Sequence, residues 1–184
     1  MIIIRQLFEV ILRKRAPSDV SYNVTAAVTA CAAIAFGYFC IYSSFKEFSQ
    51  PLLYAVIITC SHIIAYALLL KLQGKENRLV QTLTTLFGVS FILNGLAFSF
   101  LLTQVLALVA LFFWGYAILS AIRILKSSFS CPTYLAIVIY ISVSLFSSTM
   151  LSIVAPSVTE ETQQLIESMQ KTIDEQSVKQ ESQS

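Results

Sequence analysis

The chain contains one long stretch without any charge, which lies between Arg78 and Arg123 and comprises 44 residues. A single α-helix of that length would be about 66 Å long, roughly twice the hydrocarbon thickness of a bilayer. We therefore expect the stretch to cross a membrane twice as a helical hairpin, with both arginines on the same side. The turn is predicted in residues 98–104, the weakest apolar signal that still leaves two spans of adequate length, whereas a turn at Asn94-Gly95 would leave a short first limb, so this dipeptide is predicted as a kink.

Composition supports a membrane protein. Of the 184 residues, 57% are hydrophobic and 12% are charged, about half the charged fraction of an ordinary soluble domain. So large an apolar excess is not explained by a globular core. The four cysteines form no CxxC pair and no regular spacing, so we predict neither a disulfide framework nor a zinc site.

The predicted fold is an all-α, polytopic membrane helical bundle in three parts. Residues 1–15 form an interfacial amphipathic helix, residues 20–155 a five-span membrane domain, and residues 156–184 a polar, acidic tail. The tail has two alternative descriptions, a solvated extension or a helix that docks onto a partner. The five spans are predicted at residues 24–43, 52–70, 79–98, 105–122 and 132–154.

The first residues place apolar side chains at helical spacing and end in the basic triplet Arg13, Lys14 and Arg15. A signal peptide has its charges before the apolar part, so the order here does not match one. We predict that this helix lies in the interface and that the triplet contacts anionic lipid headgroups. The alternative is a helix that packs against the bundle.

Three sets of small or polar residues recur at helical spacing and predict faces of close helix packing. In lipid, small residues favour contact because they let two backbones approach each other. The first set lies in span one, the second in span three and the third in span five: Ala26, Ala30, Ala33 and Gly37; Gln81, Gly88 and Gly95; Ser144, Ser148 and Ser152.

Three polar residues inside spans are candidate functional groups: His62, Asn94 and Gln81. His62 is the only histidine, and an ionisable group at mid-membrane suggests function by default. Two hypotheses stay open for it: a neutral ring hydrogen-bonded to Ser90 or Ser142, or a ligand or proton role. Because no span contains an acidic residue, the sequence predicts no metal site, no cofactor site and no catalytic residue.

Charge distribution predicts the orientation. Lys and Arg in short flanks divide nine to one between the two sides, which indicates that the richer side is cytoplasmic. The amino terminus is then cytoplasmic and the acidic tail lies across the membrane, in the periplasm if this is a bacterial inner-membrane protein. The poorer side holds Lys46, and the richer side holds Arg5, Arg13, Lys14, Arg15, Lys71, Lys75, Arg78, Arg123 and Lys126.

Two segments carry a family resemblance. RAPSDVSYN before span one and GKENRLVQTLTTLFGVSFILNG at span three, in a five-span chain, resemble small bacterial members of the Ypt-interacting (Yip) membrane protein family. The resemblance covers roughly residues 1–154 and implies a non-catalytic membrane organiser or adaptor. It carries over no catalytic residue. The long cytoplasmic domain of the eukaryotic members is not in this sequence, so binding of Rab GTPases is not implied.

Three hypotheses for function follow. The first is a non-catalytic adaptor or scaffold that organises other membrane proteins through its packing faces and tail. The second is a transporter or channel subunit with a polar site near His62 and Asn94. The third, a membrane enzyme, lacks a recognisable set of catalytic groups. The predicted partners are membrane lipids and other membrane proteins or a second copy, not nucleic acid.

Overall fold

A computed structural model describes residues 2–45, 48–101 and 107–181, except the side chains of 101, 107, 168–169 and 172–181. No strand occurs in these residues. Five of the helices, α2 to α6, have the length and apolar composition to cross a membrane, which confirms the predicted all-α bundle with five spans. The helices are α1 (Ile2–Ile11), α2 (Val24–Ser43), α3 (Pro51–Leu72), α4 (Leu79–Leu101), α5 (Ala107–Phe129), α6 (Thr133–Val154) and α7 (Ser157–Glu181).

Local chemistry explains where these helices begin and end. Asn23 caps α2 because its side chain accepts the Ala26 N–H at 3.0 Å, and Pro51 opens α3 at a position that needs no N–H donor. Helices α1, α3 and α5 are each followed by a residue with positive φ, namely Arg13, Gly74 and Ser130. In each case the N–H of that residue and the N–H of the residue after it bond back to carbonyls of the last helical turn, which is the Schellman arrangement.

The helices of the charge-free stretch are longer than predicted. Helix α4 extends to Leu101, and α5 extends to Phe129 rather than ending before Arg123. Arginine and lysine are good helix formers, so their charge ends the apolar segment but not the helix. Part of the predicted turn, residues 102–104, lies outside the described residues.

The five spans close into a ring. Helix α2 packs against α3 and α4, α3 packs against α6, α6 against α5, and α5 against α4. We call the end at which α3 ends and α4 begins the basic end, and the end at which α6 ends and α7 begins the tail end. Each span therefore has two neighbours and one face toward the interior of the ring.

Helix α1 packs across α4 at the basic end. Leu7 lies so close to Gly88 that a Cβ there would be 2.6 Å from the leucine side chain. Gln6 is also buried and exchanges two hydrogen bonds with Ser21. The inner face thus matches the packing alternative, whereas the opposite face is apolar and exposed at Ile2, Ile4, Phe8 and Leu12.

The tail forms helix α7, which agrees with the helical alternative. Its first turns pack at the tail end through Val158, which joins a small core with Tyr54, Ile58, Leu151 and Ala155. A much larger core joins α1 to all five spans, and most of its fully buried residues lie toward the basic end.

Candidate functional site

A cavity of about 490 Å³ lies inside the ring, and all five spans contribute to its wall. We call it the central cavity. Nine of its lining residues are polar: Tyr38, His62, Tyr66, Ser90, Asn94, Tyr140, Ser144, Ser147 and Ser148. The structure therefore brings together two of the three candidate functional residues, His62 and Asn94, and two of the serines predicted for helix packing.

The central cavity is closed toward the basic end by dense apolar packing. Leu70, Leu125, Phe129 and Ala136, from α3, α5 and α6, have 0–1% of their surface exposed. Charged side chains of the segment before α4 add a polar layer outside these residues. Lys75 donates to the Phe129 carbonyl, and Arg78 donates to the carbonyls of Ser127 and Ser128 and to the Ser130 hydroxyl. These bonds satisfy the carbonyls that the end of a helix leaves unpaired.

His62 is held by its own helix rather than by a neighbouring hydroxyl. Its Nδ1 lies 2.8 Å from the Ile58 carbonyl oxygen, and because a carbonyl only accepts, Nδ1 carries the proton. In the neutral ring Nε2 is then an acceptor. The predicted partners do not contact it: Ser90 lines the same cavity without a bond to the ring, and Ser142 is exposed.

Aromatic side chains surround the His62 ring. Ring centroids lie 6.3 Å away at Tyr38, which is nearly parallel, 6.2 Å at Tyr66 and 6.5 Å at Phe87. The single tryptophan, Trp114, lines the same cavity from α5. The wall thus combines flat apolar surfaces with a few hydrogen-bonding groups, the usual composition of a small-molecule site.

Several polar groups in this wall have no hydrogen-bond partner among the described residues. The hydroxyl of Ser147, a residue with 2% of its surface exposed, is buried and unpaired. The Asn94 amide and the hydroxyls of Tyr38 and Tyr66 also line the cavity, and they make no side-chain hydrogen bond within the described segments. A buried polar group without a partner costs about 1–3 kcal/mol, and this applies to the Ser147 hydroxyl. Packing of the bundle therefore does not explain this hydroxyl.

The serines of α6 differ from their predicted role. The packing face of α6 consists of Ala136, Ile139, Val143, Ser147 and Leu151, whereas Ser148 and Ser152 are exposed and Ser144 is half-buried. The prediction of a packing face at Ser144, Ser148 and Ser152 is therefore wrong. Serine spacing alone does not show how a helix is rotated in the bundle, and the hydroxyls instead border cavities.

The other small residues divide into two groups. In α2, Ala30 is buried, Ala26 and Ala33 are half-buried, and Gly37 approaches Phe91, with 3.6 Å from a Cβ position to the ring. Gly88 is the site of the Leu7 contact. Gly95 is exposed, and nothing within the described chain lies within 4 Å of a Cβ there, so its predicted packing role is wrong within the chain.

Gln81 lies away from the central cavity. Its Nε2 donates to the carbonyl of Val20 at 2.9 Å and to that of Ser18 at 3.4 Å. It thereby fixes the segment between α1 and α2 against α4. This position supports a structural role, and Gln81 takes no part in the candidate site.

A second cavity of about 540 Å³ lies at the tail end, and we call it the tail groove. Helix α7 forms one wall through Val158, Thr159, Thr162, Gln163 and Ile166. Ile58 and Ser148 line both the tail groove and the central cavity. The two spaces are therefore neighbours that share part of one wall.

Glu161 anchors α7 beside this groove. One carboxylate oxygen accepts from the Ser49 hydroxyl at 2.6 Å and the Ser49 N–H at 3.3 Å, and the other accepts from the Tyr54 hydroxyl at 2.7 Å. Burial opposes ionisation of this carboxyl, but the bonds from Ser49 and Tyr54 outweigh it and lower the pKa of Glu161. No sequence pattern predicts this contact, since Ser49 and Glu161 are 112 positions apart.

Fold and site together define an integral membrane protein in which a closed ring of five helices surrounds a polar cavity. Comparison of the chain with family models, curated proteins and solved structures finds no match. The resemblance to the Yip family therefore stays a prediction. Within the described residues no group of three or more His, Cys, Asp or Glu is placed to hold a metal ion.

Proposed function

We propose that the central cavity binds a small, uncharged molecule, and that the protein is a transporter or a channel subunit. The observation that carries the proposal is the convergence of polar side chains from all five spans on one cavity of about 490 Å³ inside the bundle. A bundle that only needed to pack would fill this space with apolar side chains, because unpaired polar groups in lipid destabilise it.

The lining supports a neutral ligand. It contains no Asp, Glu, Lys or Arg, so an ion would lie unpaired in a medium of low dielectric. Acceptor and donor groups are both present, in the His62 ring, the Asn94 amide and the tyrosine and serine hydroxyls. The aromatic rings of Tyr38, Tyr66 and Trp114 add flat surfaces. An amphiphilic molecule with hydroxyl, carbonyl or amide groups on a planar or aliphatic body matches these features.

The position of the cavity supports access from the tail end. The basic end is filled by residues such as Leu70 and Leu125, whereas the tail groove adjoins the cavity at Ile58 and Ser148. If the basic end faces the cytoplasm, as the positive-inside rule favours, ligand enters from the periplasmic side of a bacterial inner membrane.

Cysteine labelling tests whether water reaches the cavity. In a background in which Cys31, Cys40, Cys60 and Cys131 are alanine, we introduce Ser144→Cys, which lines the cavity, or Ser142→Cys on the exposed face of the same helix. A charged, membrane-impermeant thiol reagent should label the first in native membranes and leave the second largely unlabelled. Equal labelling of both positions, or labelling of Ser142→Cys alone, would contradict a water-accessible central cavity.

Trp114 provides a second test, because it is the only tryptophan and lines the cavity. Ligand screening with purified protein should identify neutral amphiphiles that change the Trp114 emission in a saturable manner. Asn94→Leu should weaken that binding about tenfold, since loss of one buried hydrogen-bonding group costs about 1.4 kcal/mol. Binding that is equally tight in Asn94→Leu would exclude the central cavity as its site.

A scaffold function is the second candidate, and one observation favours it. Helix α7 contacts the bundle through its first turns, and the side chains of Glu167, Gln170 and Lys171 beyond them are exposed, so this part of the helix offers a surface to another protein. Purification in gentle detergent should then recover a stoichiometric membrane partner. Removal of residues 168–184 should release that partner, while five-span folding is retained.

A further inference from the structure

A narrow crevice lies between the end of α1 and α5, at the basic end of the bundle. Arg13, which follows α1, and Arg123 of α5 both line it, together with Tyr116 and Ser120. Its volume is about 20 Å³, which is enough for one oxygen-sized group. Two arginines therefore line a space large enough for one oxygen atom of an anion.

No carboxylate neutralises these two arginines in the described part of the chain. The two ion pairs in the described part of the chain both involve Glu9, which binds Arg5 and Arg15 at 2.9 Å each. These two hydrogen-bonded cations, Arg5 and then Arg15, lower the pKa of Glu9, so it stays ionised and engaged. Two like charges beside one crevice repel each other, and an anion between them removes that repulsion.

The backbone holds Arg13 at this place in a conformation that other residue types adopt more readily. Its φ is 59°, in the left-handed region where helix-terminating glycines normally occur. The Arg13 N–H bonds to Val10 and the Lys14 N–H bonds to Glu9, which completes the Schellman turn. The Tyr116 hydroxyl donates to the Ile11 carbonyl and so attaches the end of α1 to α5. Arg13 thus occupies a backbone position at which glycine would be less strained.

The crevice lies near the basic end of α5, within about two helical turns of it. Arg123 lies six residues before Phe129, the last residue of α5, which places it about 9 Å inside the helix end at 1.5 Å per residue. Beside it, the exposed apolar side chains of α1, including Phe8 and Leu12, form a surface suited to acyl chains. Cationic and lipid-facing apolar groups thus adjoin each other.

We propose that this crevice binds the phosphate of an anionic phospholipid, with Arg13 and Arg123 as its two cationic ligands and Ser120 as a hydroxyl donor. Guanidinium groups donate charge-assisted hydrogen bonds to phosphate oxygens, and basic pockets between membrane helices recognise anionic headgroups. The acyl chains lie along the exposed face of α1. The proposal is independent of any ligand in the central cavity.

Native mass spectrometry of the purified full chain in detergent tests this site. The protein is titrated with phosphatidylglycerol, with phosphatidylcholine and with inorganic phosphate. The variants are Arg13→Gly, Arg123→Gln and, as a matched control, Lys14→Gln. Glycine suits a φ of 59°, so Arg13→Gly removes the guanidinium and leaves the helix end intact. Lys14 is an exposed neighbouring cation that does not line the crevice.

We expect phosphatidylglycerol to bind in preference to the other two probes. Arg13→Gly and Arg123→Gln should each weaken its binding about fivefold, the factor equivalent to about 1 kcal/mol per cation, and Lys14→Gln should weaken it less than twofold. The proposal is overturned if Lys14→Gln has the same effect as Arg13→Gly, if phosphatidylcholine binds as tightly, or if inorganic phosphate alone competes at equal concentration.

Discussion

The basic end and the middle of the bundle are built from the same five helices, yet their interiors are packed differently. At the basic end, Leu70, Leu125 and Ala136 have no exposed surface and the end of α5 is capped by Lys75 and Arg78. At mid-depth the same helices separate around a cavity of about 490 Å³, and the hydroxyl of Ser147 in its wall is buried and unpaired. The basic end is thus organised for stability, and the middle of the bundle keeps polar groups at a cost in stability.

In this helical membrane bundle, stability and candidate function are located in different parts of the structure. Because water exclusion does not drive helix association in lipid, close packing has to supply the stability, and the basic end provides it. The middle of the bundle is then free to carry groups that weaken packing. Substitutions at the basic end should therefore change stability, and substitutions in the cavity wall should change the properties of the cavity.

The largest effect is expected in the basic half. Leu125→Ala should lower the free energy of unfolding by about 2 kcal/mol, at the lower end of the range for buried leucines because the helices are solvated by lipid. Leu86→Ala should cost about half as much, because Leu86 borders the central cavity and part of its surroundings is empty space rather than packed side chains. Equilibrium unfolding in mixed micelles measures both. Equal losses would contradict the difference in packing between the basic end and the cavity wall.

The cap on α5 is the next test. Arg78→Met removes the donors to Ser127, Ser128 and Ser130 and should cost about 1.5 kcal/mol in the same unfolding assay, since hydrogen bonds from charged groups are the stronger ones. Lys71→Met, an exposed cation at the end of α3, is the matched control. If Arg78→Met lowers the free energy of unfolding no more than Lys71→Met does, the bonds from Arg78 to the end of α5 do not stabilise the basic end.

At the tail end, the contact of Glu161 should decide how firmly α7 covers the groove. Glu161→Gln replaces one of the two acceptor oxygens by an amide donor, which then faces either Ser49 or Tyr54, so docking of α7 should weaken by about 1 kcal/mol. Hydrogen exchange in residues 157–166 should increase about fivefold. Glu160→Gln, on the exposed side of the same turn, should leave exchange unchanged. Unchanged exchange in Glu161→Gln would mean that other contacts hold the helix.

The same carboxylate predicts a dependence on pH. The folded-state pKa of Glu161 is depressed below its ordinary value of 4.5, because hydrogen bonds from Ser49 and Tyr54 outweigh burial. Its contribution to docking is therefore complete above that ordinary value and is lost as pH falls through the lowered folded-state pKa. Exchange in α7 of the wild type should rise at acidic pH. Glu161→Gln should lack this additional rise, and an equal rise in both proteins would assign the pH dependence to other groups.

The membrane architecture could be predicted from the sequence because lipid requires long, charge-free, fully hydrogen-bonded helices. The stretch after Arg78 therefore had to cross twice, and the structure contains two helices there. The cavity could not be predicted, because it depends on how each helix is rotated. A shift of one position along α6 separates the predicted Ser148 from the buried, unpaired Ser147, and both are equally plausible in a sequence pattern.

Contacts between residues far apart along the chain could also not be predicted from the sequence. Glu161 was expected only as one of several acidic residues of a tail, since its partners Ser49 and Tyr54 become neighbours only when α3 and α7 dock. The basic triplet shows the same limit. Arg15 pairs with Glu9, Arg13 lines a crevice together with Arg123, and Lys14 is exposed, so three adjacent cations have different surroundings.

The smallest effect on stability is expected at His62, and this residue distinguishes the cavity wall from the packed basic end most clearly. Its Nδ1 donates to the Ile58 carbonyl, which as a helical carbonyl also accepts the backbone N–H four residues on, so loss of the ring leaves no buried acceptor unpaired. The structure gives the ring no hydroxyl partner on another helix among the described residues. The free energies of unfolding of His62→Leu and His62→Gln in detergent should therefore both lie within about 0.5 kcal/mol of the wild-type value.

Labelling of Ser144→Cys should nevertheless slow in His62→Leu, because leucine replaces a hydrogen-bonding group of the cavity wall by an apolar one. It should stay unchanged in His62→Gln. A loss of 1 kcal/mol or more in His62→Leu, with unchanged labelling, would instead assign His62 to the packing of the bundle, because a cavity residue should alter access before it alters stability.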